Sequence, residues 1–309
     1  MQKFPTILKL KPHFESRIWA GNYLNQLFAK QSQQKQIGEA WIISAYPEKS
    51  ATITNLEQAQ SLLDFYQNPA HSAFFANYNL EHPYPLLVKI IDAGQDLSVQ
   101  IHPDDAYAKQ FGALGKTECW YVLATKANNY VIHGHHAASL AQFQSLVEQR
   151  RWDELLKKQP INAGDFIYVP AKKIHAIKGQ TLIYELQQSS DITYRVYDYE
   201  RLENGQKRPL HLKEVYDLIE TPDVIWNQTA ISNQPDYLVA NEQFFLQKIT
   251  NQGQQTYFYP EAKWLQLTLI NGQAEIENLK AQPYDSFLIA HQSKFTIRGD
   301  CECLVSYIK

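Results

Sequence analysis

The sequence predicts a mainly β protein, on the strength of three observations. Short apolar or alternating runs separated by turns recur along the 309 residues, with many β-branched and aromatic side chains. One stretch near the middle of the chain instead has helical spacing. Two fifteen-residue segments that lie 120 positions apart also resemble each other. This internal similarity predicts two barrel-like sheets built on one plan.

Each predicted strand is a short run that ends at turn residues. The length of these runs and their β-branched content favour strands over helices. The predicted strands cover residues 86–92, 97–101, 119–123, 130–132, 165–169 and 181–186. Residues 61–65 predict a short helix.

A helical insertion at about residues 137–159 interrupts the β-rich pattern. Apolar residues recur there at helical spacing, at Leu140, Phe143, Val147, Trp152, Leu155 and Leu156. Ser139 is followed three residues later by Gln142, which is the pattern of a capping box at a helix start. The sequence therefore predicts helical structure from Ser139 to Lys158.

The internal similarity also bears on domain organisation. Segment 165–179 (DFIYVPAKKIHAIKG) aligns without gaps on segment 285–299 (DSFLIAHQSKFTIRG), and both have the pattern strand, turn, strand. Phe295 stands in the second copy where His175 stands in the first, so the second copy should lack any metal site. The polar, proline-containing segment 203–242 predicts a passage between domains. We expect one domain over residues 1–220 and a C-terminal β-domain without a metal site over residues 221–309.

Composition excludes several classes of function. The net charge is −3 and no run of lysine or arginine forms a basic stripe, so a nucleic-acid partner is not expected. No stretch of about 18 apolar residues occurs, so no membrane span is expected. An odd, small cysteine count (Cys119, Cys301 and Cys303) fits a reducing compartment. We therefore expect a cytoplasmic protein whose partner is a small molecule.

The residues around His102 have the pattern of a site at a strand end. Side chains alternate in a strand, so Ser98, Gln100 and His102 share one face while the residues between them pack on the other. Polar residues on the inner face of a barrel are costly unless they serve a purpose. Pro103 cannot continue a central strand, which leaves His102 at the rim.

Two further strand starts complete a candidate metal set. Glu118 lies on one strand face with Lys116, and a buried glutamate needs a cation or a metal. His175 opens a strand after a tight turn. Two histidines and a glutamate suit zinc, and also manganese, iron or cobalt, with Gln100 as a candidate fourth ligand. Alternatively, Glu118 simply pairs with Lys116 or with a nearby arginine.

A second histidine cluster competes with this set. His133, His135 and His136 are closer together in sequence than His102 and His175. However, the intervening glycine and the polar surroundings predict a solvated loop, so we do not expect these histidines to bind metal.

Several ordered motifs resemble the signatures of type I mannose-6-phosphate isomerases. They are 98–104 (SVQIHPD), 115–121 (GKTECWY), 169–175 (VPAKKIH) and 190–195 (SDITYR), with GEAW at 38–41 and PLLVK at 85–89. The match covers roughly residues 5–215 and resembles the short bacterial branch. Asp105 is one departure, because longer relatives commonly carry lysine after the HPD triplet.

The resemblance implies a fold, a reaction and a set of site residues. The implied fold is a cupin-type (jelly-roll) β-barrel with a small helical insertion and a second, degenerate cupin-like β-domain. The implied reaction is the interconversion of mannose 6-phosphate and fructose 6-phosphate through an enediol, with one divalent metal ion per chain, which the resemblance implies to be zinc. Metal-ligand positions of the family fall on Gln100, His102, Glu118 and His175, and active-site positions fall on Lys116, Glu185 and Arg195.

The chemistry of such an isomerisation assigns provisional roles. Arg195 is permanently cationic and suits an oxyanion, although an ion pair with Asp191 or Asp198 is the structural alternative. Lys116 and Glu185 are both candidates for proton transfer. We favour Lys116 slightly as the base, because a nearby divalent cation favours the neutral amine. Phosphate contacts are expected from Ser98, Lys89 and Arg201.

Two other functions fit part of the pattern. Two histidines and one carboxylate are also the ligand set of iron-dependent oxygenases on cupin barrels, but Lys116, Glu185 and Arg195 have no obvious use in oxygen chemistry. A non-catalytic sugar-phosphate sensor is the second alternative, but such a protein would be expected to have lost a ligand or Arg195.

Overall fold

The computed structural model describes residues 4–29, 32–226, 231–232 and 234–309. Strands dominate, as the sequence predicted. The first sixteen strands are β1 (Ile7–Lys11), β2 (His13–Ser16), β3 (Ile37–Ile43), β4 (Thr52–Ile53), β5 (Gln60–Ser61), β6 (Leu86–Ala93), β7 (Val99–Ile101), β8 (Glu118–Thr125), β9 (Asn129–His135), β10 (Leu156–Ile161), β11 (Phe166–Val169), β12 (His175–Ala176), β13 (Thr181–Gln188), β14 (Tyr194–Tyr197), β15 (Leu202–Glu203) and β16 (Gln206–Lys207).

Nine more strands follow in the C-terminal part of the chain. They are β17 (Val239–Ala240), β18 (Phe245–Asn251), β19 (Gln254–Tyr257), β20 (Leu265–Gly272), β21 (Ala274–Ile276), β22 (Leu279–Ala281), β23 (Ser286–Ile289), β24 (Phe295–Arg298) and β25 (Cys301–Tyr307). The helices are α1 (Tyr23–Leu27), α2 (Leu62–Gln67), α3 (Asp105–Ala108), α4 (Leu140–Glu148), α5 (Trp152–Leu155) and α6 (Leu212–Leu218), with 3₁₀ turns at Pro69–Phe75 and Lys109–Phe111. No helix of the described ranges is long and apolar enough to cross a membrane.

Two compact units share the chain. Residues 14–39 and 91–226 form one, called here the N-terminal barrel unit, and residues 1–13, 40–90 and 227–309 form the other, the C-terminal barrel unit. This division differs from the expected one in that residues 1–13 and 40–90 group with the C-terminal part of the chain. The reason is strand pairing: β1 pairs with β23, with Ile7 opposite Ile289, and β4 pairs with β1.

The N-terminal barrel unit is built around antiparallel sheets. A five-stranded sheet has the order β10-β9-β12-β7-β14, and β11, β8 and β13 are consecutive strands of a six-stranded sheet. Buried apolar residues from both sheets pack together: Trp19, Ile91, Ala93, Leu97, Trp120, Val122, Val131, Ile161, Ile167, Val169, Ile177 and Ile183. Two sheets with a shared core are the arrangement of a jelly-roll barrel.

The helices of this unit cover the other face of the five-stranded sheet. Val99 and Ile101 pack there against α4, α5 and α6, in a cluster that includes Phe143. That arrangement leaves the alternate residues of β7 on the interior face of the barrel, as the strand period predicted.

The predicted helical insertion is present but shorter than expected. Ser139 accepts a hydrogen bond from the backbone N–H of Gln142, so the predicted cap forms. The Gln142 side chain, however, accepts from the N–H of Ala138 rather than that of Ser139. The prediction of helical structure up to Lys158 is wrong, because Arg150 adopts a left-handed backbone with φ 57° and β10 begins at Leu156, in pairing with β9.

The C-terminal barrel unit repeats the plan of the first barrel. Strands β11 and β23 lie 120 positions apart, and left-handed residues recur at the same offset, at Lys172 (φ 66°) and Gln292 (φ 51°). Pairing registers also correspond: Gln187 lies opposite Glu118 on β13 and β8, and Tyr307 lies opposite Leu265 on β25 and β20. The internal similarity therefore reflects a structural repeat.

The second barrel has an apolar interior where the first has polar residues. Phe295, at the position equivalent to His175, is completely buried, and Leu265 stands where the first barrel has Glu118. The ring of Phe295 stacks on Tyr257 at a centroid distance of 5.4 Å. Apolar packing thus replaces the polar set of the first barrel.

Candidate metal centre and active site

The two histidines of the predicted set are held with the same nitrogen facing the interior. His102 follows β7, and its Nδ1 donates to the carbonyl of Ile192 at 2.9 Å. His175 begins β12, and its Nδ1 donates to the carbonyl of Lys173 at 2.8 Å. A carbonyl can only accept, so both Nδ1 atoms carry the proton and both Nε2 atoms keep a lone pair, which on His175 accepts from the Gln100 amide at 3.3 Å.

Glu118 completes the set at the start of β8. Its Oε2 lies 3.4 Å from His102 Nε2, and its Oε1 lies 3.4 Å from His175 Nε2. His102, Glu118 and His175 are the one group of potential metal ligands within 4.8 Å of one another found in the described ranges. The sequence prediction of this triad as a spatial cluster is therefore met by the geometry.

Within the described part of the chain, three buried polar atoms of this cluster lack hydrogen bonds, and a divalent metal would satisfy them. His102 Nε2 and both carboxylate oxygens of Glu118 are buried, and none has a hydrogen-bond partner among the described residues. Leaving a buried polar group unsatisfied costs about 1–3 kcal/mol, and more for a charged one. A cation with nitrogen and oxygen ligands would satisfy all three atoms at once.

The protonation states are those that a metal requires. Burial, with the nearby Lys116 ammonium adding to it, lowers the pKa of His102 to about 3. Burial also lowers the pKa of His175. For Glu118, burial raises the pKa, but Lys116 and His102 outweigh that effect and hold it well below its usual range. Two neutral imidazoles and one carboxylate result, ready to bind without losing protons.

Gln100 lies beside the triad. It is opposite His175 in the β7–β12 register, and its amide nitrogen lies 3.3 Å from His175 Nε2. The structure thus places Gln100 beside the triad with its amide nitrogen toward His175, and its part as a fourth ligand through the amide oxygen stays a prediction.

Lys116 and Glu185 are brought to the same interior face. Lys116 Nζ lies 3.4 Å from Glu118 Oε2, and only 4% of the lysine is exposed. Glu185 lies opposite Trp120 in the β13–β8 register and accepts a hydrogen bond from its Nε1 at 3.0 Å. The Trp120 ring in turn contacts His175, at a centroid distance of 5.5 Å. The tryptophan thus fixes Glu185 next to the metal set.

Arg195 is held in the same row of side chains. It lies opposite Gln100 in the β14–β7 register, and its backbone N–H donates to His211 Nδ1 at 3.1 Å. Its side-chain Nε is buried and has no hydrogen-bond partner among the described residues. Burial, with Arg208 second, lowers its pKa below the usual value. A guanidinium with an unsatisfied N–H suits an anionic ligand.

The sequence left open an ion pair between Arg195 and Asp198, but Asp198 is bound by two other arginines. That carboxylate is bound by Arg201 and by Arg208, whose Nε lies 2.7 Å from Asp198 Oδ2. Arg195 is therefore not neutralised by this neighbour.

The three residues expected to contact phosphate do not lie together. Arg201 donates to the carbonyl of Asp96, which precedes β7, whereas His102 follows it. Arg201 therefore lies toward the opposite end of that strand. Ser98 is buried in the N-terminal barrel unit. Lys89 lies in the C-terminal barrel unit, 4.7 Å from the centre of the Trp41 ring.

The prediction that His133 and His135 belong to a solvated loop is wrong. Both lie in β9, and only the next residue, His136, is exposed. His135 uses both ring nitrogens: Nε2 donates to the Glu220 carbonyl and Nδ1 accepts from the N–H of Ala137. His133 lies opposite His175 and donates from Nε2 to the Tyr168 carbonyl at 3.0 Å. The alternating polar pattern of β9 could have signalled a strand, but the glycine between the histidines obscured it.

These observations define a jelly-roll protein with a buried cluster of two histidines and one glutamate that could hold a metal ion, and comparison with known proteins makes the class specific. The family model described as phosphomannose isomerase type I, catalytic domain, matches residues 7–150. The probable mannose-6-phosphate isomerase GmuF of Bacillus subtilis is 36% identical, over 97% of this chain and 98% of that protein. The mannose-6-phosphate isomerase ManA of the same organism is 33% identical over the same shares. The chain belongs to the type I mannose-6-phosphate isomerase family.

Solved structures agree with this assignment. The crystal structure of the mannose 6-phosphate isomerase from Bacillus subtilis superimposes with a TM-score of 0.90 and 32% identity, covering 98% of this chain and all of that one. A mannosephosphate isomerase structure from Archaeoglobus fulgidus, described there as putative, has a TM-score of 0.80 at 19% identity and supports the fold alone. The cupin-type fold expected from the resemblance is confirmed.

Proposed function

We propose that this protein interconverts mannose 6-phosphate and fructose 6-phosphate through an enediol. The observation that carries the proposal is the buried cluster of His102, Glu118 and His175, whose ligand atoms lie within 4.8 Å of one another in a member of this isomerase family. Those of His102 and Glu118 have no hydrogen-bond partner among the described residues. Those three residues would hold a divalent metal, with Gln100 as the fourth ligand. We further propose that the metal is zinc, which nitrogen and oxygen ligands in this number suit.

The reaction moves one proton between two carbons and another between two oxygens. The proton on C2 of the open-chain aldose is removed, and a proton is delivered to C1 to give the ketose. A bound divalent metal would polarise the sugar carbonyl and stabilise negative charge on oxygen. The protein must supply a base and a route for the proton between O1 and O2.

The positions of three side chains support their roles in this chemistry. Lys116 has its Nζ 3.4 Å from Glu118 Oε2; as the neutral amine, which a divalent cation bound nearby would favour, it takes the proton from C2 and returns it to C1. Glu185, fixed by the Trp120 N–H, moves the proton between the two oxygens. Arg195, with its unsatisfied buried Nε, orients the substrate and stabilises negative charge on its oxygen.

The cysteines of the chain bear on the compartment in which the protein works. The three cysteines are free and buried, which supports a reducing compartment, and we propose the cytoplasm. The partner is a small sugar phosphate, and neither nucleic acid nor membrane enters the proposal.

An oxygen-free turnover assay tests the function against its alternatives. Protein is incubated with mannose 6-phosphate without oxygen, and fructose 6-phosphate is measured. Turnover is expected, because the isomerisation consumes no oxidant. Glu118→Gln should abolish turnover, while Glu148→Gln, an exposed change at the end of α4, should leave it unchanged. Binding without turnover would contradict the proposal and favour a sensor, and turnover that requires oxygen would favour an oxygenase.

A further inference from the structure

A buried ion cluster lies outside the residues assigned so far. The Asp223 carboxylate, in the segment after α6, is bound by two lysines: Lys173 Nζ lies 2.8 Å from Oδ1 and Lys157 Nζ lies 2.9 Å from Oδ2. Lys173 and Asp223 are both almost completely buried, with 7% and 6% of their side chains exposed. Burial raises the pKa of Asp223, but the hydrogen bonds from the two lysines outweigh it and hold the pKa below its usual range.

Lys173 connects this cluster to the metal set. Its backbone carbonyl is the acceptor for His175 Nδ1, at 2.8 Å. Its side chain binds Asp223 and also donates to the carbonyl of Val224 at 2.6 Å. A partner that accepts from the distal nitrogen of a metal-binding histidine fixes both the tautomer and the ring orientation. The position of the Lys173 carbonyl therefore determines the direction of His175 Nε2.

The turn that carries Lys173 is held on its other side by His102. The N–H of Lys172 donates to the His102 carbonyl at 2.8 Å, and Lys172 has a left-handed backbone with φ 66°. Since the pair with Asp223 is the side-chain anchor of Lys173, the turn is fixed between the two histidines of the set and the segment after α6.

The neighbouring strand is shaped to admit the Asp223 carboxylate. Gly134 has φ 98°, and a Cβ at this position would lie 2.3 Å from Asp223 Oδ2. His135 donates to the carbonyl of Glu220 at 2.9 Å, which holds the segment that carries Asp223. A site with these close contacts and two cationic partners is not a chance surface ion pair.

We propose that Asp223 is a positioning residue of the metal centre, acting through Lys173 on the orientation of His175. The inference rests on the proposed metal site, but it concerns the affinity of that site rather than the reaction. Loss of the Asp223 charge leaves Lys173 without its carboxylate, so the turn relaxes and the His175 ring loses its fixed acceptor. Metal affinity should fall by about 10–100-fold, as is typical when a residue that orients a metal-binding histidine is changed.

Zinc affinity of the folded, metal-depleted protein tests the proposal without an activity assay. Competition with a fluorescent zinc chelator is measured for wild type, Asp223→Asn and Lys157→Met. Asp223→Asn should bind zinc at least about tenfold more weakly. Lys157→Met, which removes the more exposed lysine and keeps the Lys173 pair, should stay within about twofold of wild type. Equal zinc affinity of Asp223→Asn and wild type, with only the melting temperature lowered, would overturn the proposal.

A double-mutant cycle tests the route through Lys173 and also serves if Asp223→Asn does not fold. Lys173→Met alone keeps Asp223 paired with Lys157 and should weaken zinc binding about tenfold. Adding Asp223→Asn to Lys173→Met should then change zinc affinity by no more than about twofold. A full additional loss would show that Asp223 acts by another route and would overturn the inference. A wild-type protein that binds no zinc would instead contradict the proposed function.

Discussion

At the scale of single residues, the role proposed for Arg195 makes a direct kinetic prediction. Its Nε is buried and has no hydrogen-bond partner in the described part of the chain, while the nearby Asp198 is bound by Arg201 and Arg208. Arg195→Lys keeps the charge but loses the planar fork, so kcat/KM should fall by about 10²–10³. Zinc affinity should not change, because Arg195 is not a ligand.

The matched control for Arg195 is Arg151→Lys, at an exposed position on the helical insertion. Steady-state kinetics and chelator competition on both variants separate the two effects. Wild-type kcat/KM in Arg195→Lys would contradict the role given to Arg195.

The acid sensitivity of the metal-free protein depends on histidines that are neutral in the folded state. One of them is His133, which is half-buried and is not a proposed metal ligand. Burial, followed by the effect of Lys173, lowers its pKa from 6.5 to about 4. Between these values the unfolded chain binds a proton that the folded chain does not, so stability is full above the unfolded pKa and is lost as the pH falls. The slope from one such group is about 1.4 kcal/mol per pH unit.

His133→Gln should therefore flatten the acid side of the stability profile. Denaturant unfolding of metal-free wild type and variant is measured from pH 8 to pH 4, and the two curves should run parallel in the neutral range. Equal slopes of the two proteins below pH 6.5 would contradict the lowered pKa of His133.

At the scale of elements, the N-terminal cap of α4 is the feature that the sequence predicted most closely. Ser139 accepts from the N–H of Gln142 at 3.3 Å. Ser139→Ala should lower the free energy of unfolding by about 1 kcal/mol. Glu148→Ala, at an exposed position of the same helix, should change it by less than about 0.5 kcal/mol. Equal effects of the two substitutions in denaturant unfolding would show that the cap contributes nothing.

Strands could be predicted where their own residues indicate a strand. The prediction failed where a strand forms only because neighbouring strands pair with it. The runs that became β6, β8 and β13 are apolar and β-branched, so their own residues identify them. The segment that contains His133 and His135 is polar and carries a glycine, yet it forms β9 because β10 and β12 pair with it. The same pairing takes the end of the predicted helix, from Leu156 onward, into β10.

The site residues, too, could be predicted where the signal was local and not where it depended on distant segments. His102, Glu118 and His175 could be predicted because each sits at a strand end and the motifs around them resemble one family. Asp223 could not, because its partners Lys157 and Lys173 are distant in sequence and nothing in the local pattern marks a buried carboxylate.

At the scale of the whole molecule, the two barrels share one plan but differ in their interiors. The first holds the candidate metal cluster, and the second is apolar at the equivalent positions. Phe295 stands at the position of His175 and is completely buried. Phe295→Ala should destabilise the protein by about 3–5 kcal/mol, because it leaves a cavity in the second core. Phe258→Ala, at a residue that is 46% exposed, should change stability by less than about 0.5 kcal/mol.

The melting temperatures of the two phenylalanine variants are compared with that of wild type by thermal unfolding, and only Phe295→Ala should lower it. A melting temperature of Phe295→Ala equal to that of wild type would show that the second barrel does not depend on this apolar replacement of the site.

The interleaved division into units was beyond the reach of local patterns. The first thirteen residues belong to the C-terminal barrel unit because β1 pairs with β23, near the other end of the chain. The internal similarity predicted two copies of one plan, but the N-terminal strands of the second barrel carry no residue that marks where they pair.

The measurement that tests the central claim most directly is a zinc titration of chelated protein, with the turnover of mannose 6-phosphate followed at each addition. The described part of the chain holds one cluster of suitable ligands. Activity should therefore be absent after chelation, rise in proportion to added zinc and stop rising at one equivalent per chain. Full activity in the chelated protein, or no activity in the zinc-loaded, folded protein, would contradict a metal-dependent isomerase at His102, Glu118 and His175.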